Sequence, residues 1–259
     1  MRQTPPSFQQ GWIWFVDACR VLKQDVFAFT GMVMFYYAVM IVLNMLPFFG
    51  TIASGVWMPF GAVLLGFATR DLLAQKKVSF EPLLALARKP VLRTTLLNLG
   101  LFYALGTQLI VIAFLYLGQD TMKQITQAME NDSLNISISI PWAAIVVAVL
   151  IFIPLTLSTL FAPLLVADGG KGVKKALFHS LMGIVLNWKA CLGALLVFTA
   201  ISLGGLLGID VLFALVGLGH FDRFYIPILM MLVTSVGQAM IWPMYRDIFH
   251  EKGFFVSAK

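Results

Sequence analysis

Six stretches of about twenty apolar residues, separated by polar and mostly basic connections, decide what this chain can become. An α-helix rises about 1.5 Å per residue, so a run of this length matches the roughly 30 Å hydrocarbon core of a bilayer. Hydrocarbon offers no partner to a backbone N–H or C=O, so a run that crosses it alone must be helical. The runs are Val26–Leu46, Thr51–Leu73, Thr94–Leu117, Pro141–Val166, Ala190–Ile209 and Tyr225–Tyr245. Composition agrees: 60% of the residues are hydrophobic and 12% charged, about half the charge that covers a soluble domain. Sparse charge excludes a disordered chain or a nucleic-acid binder, and two cysteines exclude a disulfide scaffold. The expectation is an all-α membrane protein in which residues 1–259 form one six-span domain. Residues 1–10 are polar and the first long apolar run starts only at Val26, so no cleavable signal peptide is expected.

Basic residues set the orientation. Sixteen of the eighteen Lys and Arg fall in the N-terminal segment, the second-to-third and fourth-to-fifth connections and the C-terminus. Lys123 and Arg223 alone lie on the other side. The positive-inside rule then places both termini in the cytoplasm. The expected partner of that basic face is anionic phospholipid, with no nucleic acid. Cys19 and Cys191 fall on or near the reducing side and are expected as free thiols. Asn131 and Asn135 open Asn-x-Ser triplets in the outer loop, 118–140, which would matter only in a eukaryotic secretory pathway.

A short amphipathic pattern precedes each outward span. Phe8, Trp12, Phe15, Cys19 and Leu22 share one helical stripe with Gln10, Asp17 and Gln24 opposite; Phe80, Leu84, Ala87 and Val91 form a second; Val173, Leu177, Leu181, Ile184 and Trp188 form a third. Such helices suit the membrane interface, with aromatic rings at headgroup depth. The returning spans end alike, Arg70-Asp71 matching Arg246-Asp247, with Asp168 at the third exit. The chain therefore reads as three units, about 8–74, 78–167 and 171–249, each an interfacial helix followed by a helical hairpin.

The segments Gly11-Trp12-Ile13-Trp14, Leu46-Pro47-Phe48-Phe49-Gly50, Pro59 with Gly61, Arg70, and Ala176-Leu177-Phe178-His179-Ser180 followed by Asn187-Trp188 resemble an uncharacterised proteobacterial family of six-span inner-membrane proteins. The resemblance implies a bacterial inner membrane and carries no activity and no site residues.

Motifs of chemistry are absent from the sequence. His179, His220 and His250 have no metal-ligand spacing, and Gly169-Gly170-Lys171-Gly172 lacks the leading glycine and trailing hydroxyl of a phosphate loop. Asp168-Gly169 stands without the repeated aspartates of a phosphatidyltransferase, and no serine nucleophile elbow occurs. A non-enzyme without cofactor is expected. No charge sits mid-span, where it would cost about 3 kcal/mol. Candidate ion pairs lie at span ends: Arg70, Asp71, Arg246 and Asp247 as a latch between spans two and six, and Asp210 with Arg223 outside.

Gln108, Gln238 and Asn44 are the deeper polar side chains, candidates for interhelical hydrogen bonds or a polar cavity. Ala200, Gly204 and Gly208 form a small-residue stripe on span five, expected to pack inside the bundle or between protomers. Two functions fit. One is a non-catalytic accessory or scaffold for other inner-membrane proteins, with a homo-oligomer also open. The other is a small transporter or lipid-handling protein with a cavity between the hairpins, which the prolines of the returning spans favour.

Overall fold

The structure is a computed structural model that describes residues 7–130, 139–217 and 222–251. Among the described residues every regular element is helical, and six helices are long and apolar enough to cross a membrane. Helix α1 is Gln9–Gln24; α2, Val26–Asn44, is span one; α3, Gly50–Leu73, is span two; α4 is Glu81–Arg88; α5, Pro90–Leu117, is span three; α6 is Gln119–Glu130. Span four is broken into α7, Trp142–Thr159, and α8, Ala162–Ala167; α9 is Val173–Leu186; α10, Trp188–Leu215, is span five; α11, Asp222–Arg246, is span six and runs into a π-helical turn, Asp247–Glu251. The Asn131 and Asn135 triplets and His220 lie outside the described residues.

Most span boundaries fall within a few residues of expectation, with three differences. The connection between spans three and four carries helix α6 over its first half. Span five runs on to Leu215, because Asp210 does not end it: the carboxylate accepts a 2.7 Å hydrogen bond from the Tyr225 hydroxyl of span six. Span four breaks at Leu160-Phe161, because Pro163 has no N–H to give the Thr159 carbonyl and its ring cannot follow a regular helical turn.

Helix α3 is the axis of the bundle, with 56% of its apolar window buried against 17% for α10 and for α11. It packs on α5, α2, α11 and α8. Close approach to α5 is possible because a Cβ on Gly100 would stand 2.7 Å from the Val56 backbone, and one on Gly55 2.8 Å from Ala104. The apolar core gathers toward the basic end, around Trp14, Phe29, Leu64, Leu164, Tyr245 and Ile248. Spans five and six touch each other lightly, and their halves away from the basic end expose most of their side chains.

The helices before spans one and five show how the protein-facing side is chosen. In α1 the buried residues are Gln10, Gly11, Trp14, Phe15, Asp17, Ala18 and Val21, whereas Phe8, Trp12 and Ile13 are exposed. Gln10 and Asp17, expected opposite the apolar stripe and turned to water, are thus inside. In α9 the buried face is Ala176, Ser180, Gly183 and Ile184, which meets the expected apolar stripe only at Ile184. Small and polar residues face the protein because they permit close approach and find partners there, while large apolar ones are equally well solvated by lipid.

The small-residue stripe of span five is a correction to the expectation of packing inside the bundle. Ala200, Gly204 and Gly208 are all exposed, and a Cβ on Gly204 or Gly208 would meet nothing within 4 Å. Close packing on span five occurs two turns nearer its basic end, where Gly193 and Ala194 lie against Gly11 of α1 with no room for a Cβ on either glycine.

Candidate functional site

Three features stand out once the helices are in place: a buried polar cluster at the basic end, an enclosed cavity in the middle of the bundle, and a lateral groove beside it.

The cluster joins the N-terminal helix to the end of span six. Asp247 is 2% exposed. Its Oδ2 accepts from Gln10 Nε2 at 2.7 Å and Trp14 Nε1 at 2.9 Å, and its Oδ1 from Arg246 Nε at 3.0 Å. The Arg246 guanidinium also reaches Asp17 at 3.4 Å, and Asp17 pairs with Arg20 at 2.8 Å. The other Arg-Asp pair has the same local geometry, Arg70 Nε donating to Asp71 Oδ1 at 3.0 Å. The expected latch between spans two and six takes another form. Each arginine pairs with the aspartate beside it, and the link between the spans is Arg70 lying 4.5 Å from the Phe67 ring centre and 5.8 Å from that of Trp242. Asp168, at the third exit, accepts from the Tyr245 hydroxyl at 3.1 Å. No sequence signal singled out Gln10 or Trp14, because a partner 233 or more residues away leaves no trace in local spacing.

The deeper amides all bridge helices. Gln108 Nε2 donates to the Thr51 hydroxyl across α5 and α3. The Ser54 hydroxyl of α3 donates to Asn44 Oδ1 of α2 at 3.3 Å, and Asn44 Nδ2 returns to the Met40 carbonyl at 2.9 Å. Gln238 Nε2 donates to the Tyr37 hydroxyl at 3.2 Å, tying span six to span one. Of the three, Gln238 also lines the enclosed cavity.

That cavity, about 130 Å³, is bounded by spans one, two, three, four and six. Its polar wall is Tyr36, Tyr103, Thr159 and Gln238, and both Pro59 and Pro163 border it. The break in span four that helps to open it is stitched from outside: Ser180 Oγ of α9 donates to the Leu157 carbonyl at 2.8 Å and accepts from the Phe161 N–H at 3.0 Å. Ser180→Ala should therefore orphan one buried N–H and one half-buried carbonyl and lower stability by about 2–4 kcal/mol, at 1–3 kcal/mol each less partial relaxation. Thermal unfolding in nanodiscs measures it, and an unchanged midpoint would mean that the break needs no support.

The lateral groove is larger, about 710 Å³, and lies between span four and spans five and six. Helix α10 rests mainly on α1, while α7 rests on α5 and α9, so spans four and five leave a gap between them. Leu157, Val185, Leu192, Leu195, Phe198 and Met240 line it, with the Thr156 hydroxyl its main polar group. At the basic end stands Trp188, 56% exposed, with the Lys189 ammonium 5.8 Å from its ring centre. Leu160 and Ile241 line both the groove and the enclosed cavity.

Among the described residues no group of three His, Cys, Asp or Glu is placed to hold a metal ion, and Cys19 and Cys191 are unpaired. Burial pushes the Cys19 thiol above its ordinary ionisation range, with Lys23 pulling it partly back. No protein-family model, curated protein or solved structure matches the chain, so the geometry of these three features is what a functional reading rests on.

Proposed function

We propose that this is a non-catalytic, lipid-handling protein of the bacterial inner membrane that holds a single hydrocarbon chain in the lateral groove. One observation carries the reading: an apolar groove of about 710 Å³ open sideways between helices that themselves span a membrane. A void lined by hydrocarbon forfeits dispersion contacts along its whole wall. Water gains nothing there, and acyl chains are the material at its mouth. Length agrees as well. From Trp188 to Phe198 the groove follows ten residues of α10, about 15 Å at 1.5 Å per residue, which is one leaflet of a roughly 30 Å core.

The surrounding topology belongs to the same proposal. Both termini are cytoplasmic, on the strength of the sixteen basic residues gathered on that side. Helices α1, α4 and α9 each precede an outward span, as the interfacial members of three hairpin units would. The basic face, with Trp188 and Lys189 at that end of the groove, lies at headgroup depth and meets the anionic phospholipid that surrounds the protein.

The test is to fill the groove. Thr156→Phe places a ring inside it from span four, on a helix face that is half-buried and needs no repacking elsewhere. Native mass spectrometry of protein released from nanodiscs should count one lipid fewer on the variant than on the unsubstituted protein. An equal count, with both proteins folded, would remove the groove as the binding site.

A further inference from the structure

The enclosed cavity and the lateral groove share a wall of two side chains, Leu160 and Ile241. The cavity brings polar groups beside an otherwise apolar groove, and part of their hydrogen-bonding capacity is unspent, although the Thr159 hydroxyl donates to the Leu155 carbonyl at 2.7 Å. Tyr36 is 6% exposed, its ring seated on Gly61 where a Cβ would overlap it. Among the described residues neither the Tyr36 nor the Tyr103 hydroxyl makes a hydrogen bond. Both hydroxyls remain accessible in the cavity, so a bound group can reach them. Gln238 spends its amide N–H on Tyr37 and keeps its carbonyl oxygen free to accept. The Thr159 carbonyl lost its helical donor when Pro163 took that place.

We propose that groove and cavity together bind one molecule, a neutral single-chain lipid with a hydroxyl head: the head among Tyr36, Tyr103 and Gln238, the chain along the groove toward the basic end. This rests on the reading of the groove as a chain-binding site. The head group follows from the cavity's chemistry. Two phenols offer both donors and acceptors and the Gln238 carbonyl oxygen accepts, so a group that donates and accepts at once, as a hydroxyl does, uses more of them than one that only accepts. No charged side chain lines the cavity, so a phosphate or carboxylate would enter it unpaired and desolvated. A volume of about 130 Å³ takes a few heavy atoms and leaves no space for a phosphoglycerol. Leu160 is the residue at which span four breaks. Its side chain and that of Ile241 are all that divides the two spaces, so a change of their rotamers joins them.

The experiment uses the full chain in nanodiscs with a diazirine-bearing hexadecanol, competed by unlabelled hexadecanol, hexadecanoate or hexadecane, and a diazirine phosphatidylglycerol as a separate chain probe. Saturable labelling by the alcohol is expected in the groove and cavity walls, displaced by hexadecanol and not by hexadecane or hexadecanoate. Tyr36→Phe with Gln238→Leu should weaken alcohol binding about tenfold, the scale of one or two lost hydrogen bonds, and leave groove labelling by the phospholipid unchanged. Tyr103→Phe, at a less buried position, gives a second reading should the double variant fail to fold. Equal displacement by hexadecane, or labelling that neither variant weakens, would overturn the hydroxyl-head site and leave the groove reading standing, the cavity then holding water. Absence of groove labelling by either probe would overturn both.

Discussion

Asp247→Ala is expected to destabilise the protein by about 3–5 kcal/mol, the range for removing one partner of a buried ion pair. The carboxylate is 2% exposed and gathers donors from two ends of the chain: Gln10 and Trp14 from α1, and Arg246 from its own turn. Its loss strands the Gln10 and Trp14 donors where water does not reach, at about 1–3 kcal/mol each. Arg246 contributes less, because its side chain is 29% exposed and retains Asp17. Asp71→Ala is the matched control. That carboxylate holds the equivalent local pair with Arg70, but Arg70 is 41% exposed and keeps its ring contacts, so a cost below about 1 kcal/mol is expected. Thermal unfolding of both variants in nanodiscs provides the comparison. Equal midpoints would mean that the cluster does not hold α1 to span six. A cycle with Trp14→Phe should be strongly non-additive, since both substitutions break the same bond.

The second large effect is expected at Gly11. A side chain there would overlap the backbone of Gly193 and Ala194, and backbone in two packed helices cannot swing aside as a side chain can. Overpacking of a core costs about 1–3 kcal/mol where side chains can adjust; Gly11→Leu, opposed by backbone, should reach about 3 kcal/mol or more and lift α1 from span five. Gly204→Ile, on the same span, meets nothing within 4 Å and should stay within about 0.5 kcal/mol in the monomer. The readout beyond stability is Cys19, measured in a Cys191→Ser background. Burial holds that thiol half-covered and above its ordinary ionisation range, so release of α1 should lower its pKa and speed its reaction with maleimide at neutral pH. Unchanged labelling in Gly11→Leu would show that α1 stays docked. A large loss in Gly204→Ile would point to an interface between copies on that face.

The inward direction of Gln10, Asp17 and Ser180 was hidden in the sequence for a reason that Gly204 shows from the opposite side. A hydrophobic stripe locates the core of a soluble helix because water rejects it. Beside lipid the same stripe has two acceptable neighbours, and the face that turns inward is the one with small residues for approach or polar groups with partners. Gly11 and Gly204 look alike as letters; a Cβ on the first would run into backbone, and one on the second would meet nothing within 4 Å.

What the sequence determined by itself is the part that depends on one helix at a time. Run length against bilayer thickness, and the need to satisfy every backbone group in hydrocarbon, made the spans and their helical form legible from Val26 to Tyr245. The prolines of the returning spans were legible, but not which of them breaks a helix: Pro154 stays within α7, whereas span four breaks just before Pro163 and is stitched there by Ser180. The tertiary structure alone decided what depends on two helices meeting: that Asp247 is shared with Gln10 and Trp14, that Gln238 borders a cavity while Gln108 is spent on Thr51, and that spans four and five stand apart to leave a groove. The physical reason is common to all three. Between helices in lipid there is little hydrophobic drive to encode in a pattern, so shape complementarity and paired polar groups choose the contacts, and both are properties of surfaces that exist only once the helices have been brought together.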